Sequence, residues 1–178
     1  MSRVIIFCGQ SGSGKTTLAL EVSQQLNIFL LSKDALKERL YELENGKTLE
    51  DSNRIGKMSI FLMLDLAEDS IKNGVDIILE SPFNHLDNLK RFHSWVERYG
   101  VDVQVIICEI DEIERKKRIE MRPRHYIHHD VTRKVLGHFV KDNFDYSTFP
   151  GNKLFLDTSQ PLEKLVEQTL EFLRTERK

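Results

Sequence analysis

The sequence predicts an α/β fold: a five-stranded parallel sheet in a three-layer α/β/α sandwich. Three observations carry the prediction. Short apolar runs alternate with helix-period segments along the chain, as parallel strands joined by crossover helices require. The first apolar run passes through a glycine-rich turn directly into an amphipathic helix. The chain has 178 residues, 40% hydrophobic and 30% charged. That suits one domain, residues 1–178, with a sizeable core, and is too balanced for a disordered or fibrous chain.

Taken in order, residues 3–8 read as the first strand. Residues 16–26 follow as a helix, with Leu18, Val22 and Leu26 on one face at four-residue spacing. Residues 28–31 read as the second strand and 35–44 as a helix bearing Leu36, Leu40 and Leu43. Residues 45–53 are polar, contain Gly46 and read as a loop. A strongly apolar helix over 54–72 leads to a third strand over 75–79. Residues 85–99 form a helix with Leu89, Phe92 and Val96 in register. The fourth strand covers 101–108, a charged helix 111–122 and a short helix 131–140. The fifth strand covers 154–156. The last helix, 162–173, begins behind Pro161. Ligands of such a sheet bind at the carboxyl ends of its strands. Residues 45–53 and 123–130 are the two places where a mobile subdomain fits.

Charge and composition narrow the partners. Lysine plus arginine number 26 and aspartate plus glutamate 28, a formal charge of −2. There is no global field to hold nucleic acid or an anionic membrane. No apolar stretch reaches the ~18–20 residues that span a bilayer, and the start shows no signal peptide. A cytoplasmic enzyme or switch protein is expected. Cys8 and Cys108 both fall in apolar strand runs. That predicts inert buried thiols, and their spacing argues against a structural zinc site.

Residues 9–16 read Gly9-Gln10-Ser11-Gly12-Ser13-Gly14-Lys15-Thr16, the G-x-x-x-x-G-K-[ST] pattern of a phosphate-binding loop. Glycines let the backbone curl so that successive N–H groups point inward at phosphate oxygens. The helix that follows adds the positive end of its dipole. Lys15 reaches the β and γ phosphates, and the Thr16 hydroxyl, followed by Thr17, is placed for Mg²⁺. ATP binding is therefore assigned to Gly9, Ser11, Gly12, Ser13, Gly14, Lys15, Thr16 and Thr17. A bare Gly-Ser turn explains the glycines but not Lys15-Thr16 at the helix start. A guanine-reading switch is disfavoured, because Asn152-Lys153-Leu154-Phe155 lacks the aspartate of an Asn/Thr-Lys-x-Asp stretch.

This loop, Ser32-Lys33-Asp34 after the second strand and the arginine-rich segment after the fourth together resemble the small P-loop kinases. These include the nucleoside-monophosphate, shikimate and gluconate kinase type, and the chain looks most like the zeta-toxin and polynucleotide-kinase-like group. The resemblance covers nearly the whole chain. It implies a five-stranded P-loop NTPase sheet, ATP with Mg²⁺, a small helical lid at about residues 111–130, and γ-phosphoryl transfer to an acceptor.

Two carboxylates stand at strand ends. Asp34 has two readings: it orients and deprotonates the acceptor hydroxyl, as the resemblance implies, or it caps the helix beginning at Ala35. Glu80 ends the third strand, where P-loop proteins usually carry an aspartate for Mg²⁺. As glutamate it serves the metal, faces the acceptor, or is an ordinary charged strand end. Phe83 and Asn84 follow it as candidate acceptor-pocket residues.

Arg115, Arg118 and Arg122 are spaced three and four apart, so one helical face carries them. A bound triphosphate neutralises such a face; so does pairing with Glu112, Glu114 and Glu120. The resemblance assigns Arg118 to ATP and both Arg118 and Arg122 to the transferring phosphoryl. It also has Asp157-Thr158-Ser159 cradle adenine. His125, His128 and His129 lack the spacing of a helical zinc pair and are expected to touch phosphate or acceptor when the lid closes.

These residues add up to a kinase with Lys15, Asp34, Arg118 and Arg122 catalytic and Asp34, Glu80 and Phe83 at the acceptor. Thr16 and Glu80 would hold Mg²⁺. The expected partner is a small-molecule acceptor, with no nucleic acid or membrane, and the protein a monomer or homodimer. The competing readings are a polynucleotide 5′-hydroxyl kinase and a non-catalytic ATP-binding regulator.

Overall fold

A computed structural model describes residues 2–121, 125–129 and 143–175. Five strands, β1 (Arg3–Cys8), β2 (Leu30–Ser32), β3 (Ile77–Glu80), β4 (Asp102–Glu109) and β5 (Asn152–Asp157), form one sheet in the order β2-β3-β1-β4-β5. Every pairing is parallel. The helices are α1 (Lys15–Leu26), α2 (Lys33–Leu43), α3 (Leu49–Lys72), α4 (Leu86–Tyr99), α5 (Glu112–Met121) and α6 (Leu162–Thr175). Short 3₁₀ turns lie at Tyr126–His128 and Tyr146–Thr148. No helix among the described residues is long and apolar enough to cross a membrane.

Side-chain alternation along the strands builds two cores. Val4, Ile6, Cys8, Val103, Val105 and Ile107 face one side, where α3 and α4 cover them with Met63, Leu64, Ala67, Phe92 and Trp95. Ile5, Phe7, Ile78, Ile106 and Cys108 face the other side, under Leu18, Ala19 and Val22 of α1 and Leu165 and Val166 of α6. Strands buried on both faces read as continuous apolar runs. That is why β1 was legible as Val-Ile-Ile-Phe-Cys. The two cysteines lie in opposite cores as free thiols, and burial pushes both up, Cys108 to about 12.

The structure differs from the sequence reading mainly at element ends. The expected loop over 45–53 is half helix, since α3 begins at Leu49. Thr48 caps it: its Oγ1 accepts from the Asp51 amide at 3.1 Å while Asp51 Oδ2 accepts from the Thr48 amide at 3.0 Å. These bonds hold the Asp51 carboxyl down at about 2, led by the Lys47 amide. β2 and β3 start two residues later than expected, and β5 extends at both ends to Asn152–Asp157. The helix expected over 131–140 lies outside the described residues.

α3 and α4 are tied to each other through one carboxylate. Glu68 of α3 accepts from Tyr99 Oη at 2.7 Å, Arg91 Nη2 at 2.8 Å and Trp95 Nε1 at 3.2 Å, all on α4. Led by the Tyr99 bond, these donors hold its carboxyl at about 2.

Candidate active site

The loop after β1 wraps tightly because glycines stand where a side chain has no room. Gly9 has φ 128°, and a Cβ there would collide with the Cys108 carbonyl. Gly12 has φ 88°, and its Cβ would lie 2.8 Å from Ile119 Cγ1 and 3.0 Å from the Arg115 carbonyl. The loop is therefore clasped between β4 and α5. Gly14 takes the N-cap position of α1 with φ 81°, and no side chain caps that helix. Its first-turn N–H groups are left to an external acceptor.

The functional side chains converge on this loop. Lys15 is buried, its Nζ donating to the Gln10 carbonyl at 3.3 Å and lying 3.8 Å from Glu80 Oε1. Thr16 Oγ1 donates to Glu80 Oε1 at 3.1 Å. Ser32 Oγ donates to Glu80 Oε2 at 2.7 Å. Glu80 is itself buried, 3% exposed, so both its oxygens are fixed by hydroxyls and its charge is faced by an ammonium. Ser13 Oγ is buried in the loop with no hydrogen-bond partner among the described residues. Thr17 lies exposed one residue further along α1.

These residues fit a magnesium–nucleotide. The loop presents main-chain donors, an orphaned hydroxyl and a buried ammonium to phosphate oxygens. The Thr16 hydroxyl and Glu80 carboxylate form the hard oxygen pair that Mg²⁺ accepts alongside phosphate and water. Among the described residues no cluster of three or more His, Cys, Asp or Glu stands ready for a metal by itself.

Beyond the loop opens a cleft of about 580 Å³ whose walls include Gln10, Ser11, Asp34, Ser52, Asn53 and Phe83. Asp34 is not a helix cap. α2 begins at Lys33 with Ser32 at the N-cap, and Asp34 stands in its first turn, 3.2 Å from Lys33 Nζ. Phe83, at φ 48°, is a strained non-glycine residue. Its ring is 1% exposed and packs edge-on against Phe92 at 5.2 Å, so it is cleft wall and core at once. Glu80 does not line this cleft; it faces Thr16 and Ser32. Of residues 45–53, Ser52 and Asn53 reach the cleft, from the first turns of α3.

The arginine face divides. Arg115, 3% exposed, is forked onto Glu112 at 2.7 and 2.9 Å and donates to the Ser11 carbonyl at 3.0 Å. Its bonds also lower the Glu112 carboxyl. Arg118 Nη2 donates to the Thr158 carbonyl at 3.0 Å, and its Nε contacts Glu114 at 3.3 Å. It stands beside Gly14 and Thr158, away from the cleft. Thr158 Oγ1 in turn lies within bonding reach of the Ser13 and Glu109 carbonyls, at 2.8 and 3.0 Å. The segment after β5 is thereby pinned to the phosphate loop. Arg122 lies outside the described residues.

The histidines do something the sequence did not show. His125 Nε2 lies 3.2 Å from Glu42, His128 Nε2 2.8 Å from Glu38, and His129 Nε2 3.1 Å from Tyr41 Oη, all partners on α2. Ser52 Oγ donates to the Ile127 carbonyl at 2.7 Å. The 125–129 turn is docked on α2 and α3, and only His128 of the three lines the cleft. Sequence reasoning gave Ser32 and Arg115 no contact of their own and Thr158 only a place beside adenine, whereas they bond Glu80, the Ser11 carbonyl and the Ser13 carbonyl. Ser32 was visible next to Lys33-Asp34, but nothing in the sequence marked which way Arg115 points.

A parallel 2-3-1-4-5 sheet, a phosphate loop after its central strand and a carboxylate at the end of the neighbouring strand define the fold of the small P-loop kinases. Residues 4–144 match the AAA domain family, and the chain belongs to that family. A cytidylate kinase of Pyrobaculum neutrophilum is 32% identical over 124 residues, 68% of this chain and 61% of the relative, so the chain matches less than two thirds of that relative's length. Among solved structures, a putative kinase from Chloroflexus aurantiacus superposes with a TM-score of 0.74 at 22% identity, covering 99% of this chain and 98% of that one. The APS kinase of Mycobacterium tuberculosis, solved with AMPPNP and APS, gives 0.66 at 16% identity over 97% and 98%. These two likenesses show the fold.

Proposed function

We propose that the protein transfers the γ-phosphoryl group of Mg-ATP to a hydroxyl of a small molecule. One observation carries this reading: Gln10 and Ser11 of the phosphate loop line the same cleft as Asp34. A nucleotide held in the loop thus ends where a carboxylate can meet an acceptor. In the transfer the acceptor oxygen bonds to the γ-phosphorus, the bond from that phosphorus to the β–γ bridging oxygen breaks, and ADP leaves. The acceptor's proton passes to Asp34. Thr16 and Glu80 would hold Mg²⁺, directly or through water, and the ion would supply neutralising charge to the triphosphate when bound. Lys15, held by the Gln10 carbonyl, meets the charge on the transferring group. Arg118, between Gly14 and Thr158, flanks the nucleotide, and Arg122 is assigned to the phosphoryl from its place in the sequence alone. Residues 111–130 serve as the lid, excluding water and so suppressing hydrolysis.

The name of the Pyrobaculum relative supports a nucleotide as acceptor; Asp34 on the cleft wall supports a hydroxyl. Calorimetry with Mg-AMPPNP tests the foundation: tight binding by the wild type and at least a hundredfold loss in Lys15→Ala. Equal binding by both proteins removes the phosphate loop from the function.

A further inference from the structure

α3 has more apolar surface than the core uses. Met63, Leu64, Ala67 and Ile71 pack into the core beneath it. Yet Met58 is 41%, Phe61 62%, Leu62 39% and Leu66 42% exposed. Steps of three and four residues put these four in one stripe along the helix. Other exposed apolar residues, such as Phe29, Leu43 and Ile113, stand on separate elements. Scattered single residues are normal on a surface, whereas a contiguous apolar stripe marks a place where something binds.

The charges on the same face are divided by sign. Arg54 and Lys57 stand on the amino-terminal side of the stripe's midpoint, Asp65 and Asp69 on the carboxyl-terminal side. That midpoint falls between Phe61 and Leu62. At 1.5 Å per residue, Arg54 and Asp69 each lie about 11 Å from it, and Lys57 and Asp65 about 7 and 5 Å. Lys57 is exposed and makes no ion pair among the described residues. Arg54 pairs with Glu44 and Asp51, Asp65 with Arg91, and Asp69 with Lys72. Their side chains nonetheless remain half or more exposed.

We infer that this face of α3 binds a second copy of the chain, the two helices packing antiparallel about a two-fold axis between Phe61 and Leu62. Turned end for end, the face complements itself. Lys57 meets the partner's Asp65 and Arg54 the partner's Asp69, and the symmetry repeats both contacts. Met58 meets the partner's Leu66. A parallel pairing would set like charge against like. A wholly basic or wholly acidic partner would match one half of the face and be repelled by the other. Burial of the apolar stripe drives the association, and the exposed charges fix its direction and register. Lys57 and Phe61 also line the cleft, so the partner stands beside it. The pairing uses no residue of the phosphate loop and stands or falls apart from the kinase reading.

An interface of one helix pair is small, so a dissociation constant of roughly 10 µM is expected, read by sedimentation equilibrium of the full chain between about 1 and 200 µM. Leu62→Glu, at a partly exposed position, should keep the melting temperature and weaken the dimer at least about tenfold. Lys57→Glu alone and Asp65→Lys alone should weaken it too, because each sets like charges opposite one another twice. Arg91 keeps Glu68 when Asp65 is replaced. Mixed in equal amounts, these two variants should pair to within about threefold of the wild type, since each then meets opposite charge on the other. A chain that stays monomeric throughout overturns the inference. So does a dimer that Leu62→Glu leaves intact, since it uses another face. A mixture that associates no better than its components overturns it as well.

Discussion

Ser32 donates to Glu80 across the carboxyl ends of β2 and β3, at 2.7 Å. Ser32 is the N-cap residue of α2 yet makes no side-chain cap bond; its hydroxyl holds the carboxylate next to Thr16 instead. The helix that carries Asp34 is thus fastened to the carboxylate proposed to hold Mg²⁺. One hydrogen bond thus links the proposed acceptor side to the proposed nucleotide side.

Replacing Ser32 by alanine leaves a buried carboxylate oxygen without its donor. A hydrogen bond to a charged group is worth about 2 kcal/mol. Ser32→Ala should lose about that much stability in urea denaturation. Its affinity for Mg-AMPPNP should fall, while binding of metal-free AMPPNP changes little. Equal loss in both titrations would make Ser32 a structural residue only.

Asp34→Asn keeps the shape of the first turn of α2 and removes the proposed base. Mg-AMPPNP should bind as in the wild type, and kcat should fall by about 10²–10⁴-fold. ADP release, with the best acceptor from a screen of small hydroxyl compounds, measures it. An undiminished kcat would reassign the proton to another group.

Gly12 separates loop strain from chemistry. At φ 88°, with Ile119 Cγ1 and the Arg115 carbonyl 2.8 and 3.0 Å from the missing Cβ, Gly12→Ala must strain the loop or lift α5. A loss of about 2 kcal/mol or more is expected in a denaturant melt. Nucleotide affinity should fall with it. A neutral substitution would show that α5 does not clasp the loop.

Glu68 makes part of the fold's stability depend on pH. Its folded carboxyl sits at about 2 against an ordinary 4.5, chiefly through the Tyr99 hydrogen bond. A depressed value stabilises the fold above about pH 4.5, and the contribution fades as pH falls toward 2. One pKa unit corresponds to about 1.4 kcal/mol, so the wild type should lose on the order of 3 kcal/mol there beyond what Glu68→Gln loses. At pH 7 the variant should be the less stable of the two. Parallel stability-versus-pH curves would show that Glu68 is not the group responsible.

What the sequence determined by itself was local. Residues 9–16 form one contiguous stretch whose glycines, Lys15 and Thr16 need only their own order to declare a phosphate loop. The strands were legible because burial on both faces leaves continuous apolar runs. The start of α3 was legible too, in Thr48-Leu49-Glu50-Asp51, but the polarity of 45–53 hid it. Tertiary structure decided the contacts between distant positions. Ser32 meets Glu80 across 48 residues, Arg115 meets Ser11 across 104, and Thr158 meets Ser13 across 145. Helical spacing says which arginines share a face, not what that face rests against. So Arg115 became a buried clasp on the loop, and the three histidines turned to Glu38, Tyr41 and Glu42 of α2. Local backbone preference is written along the chain, whereas the partner of a charged side chain is fixed only when the sheet brings remote loops to one edge.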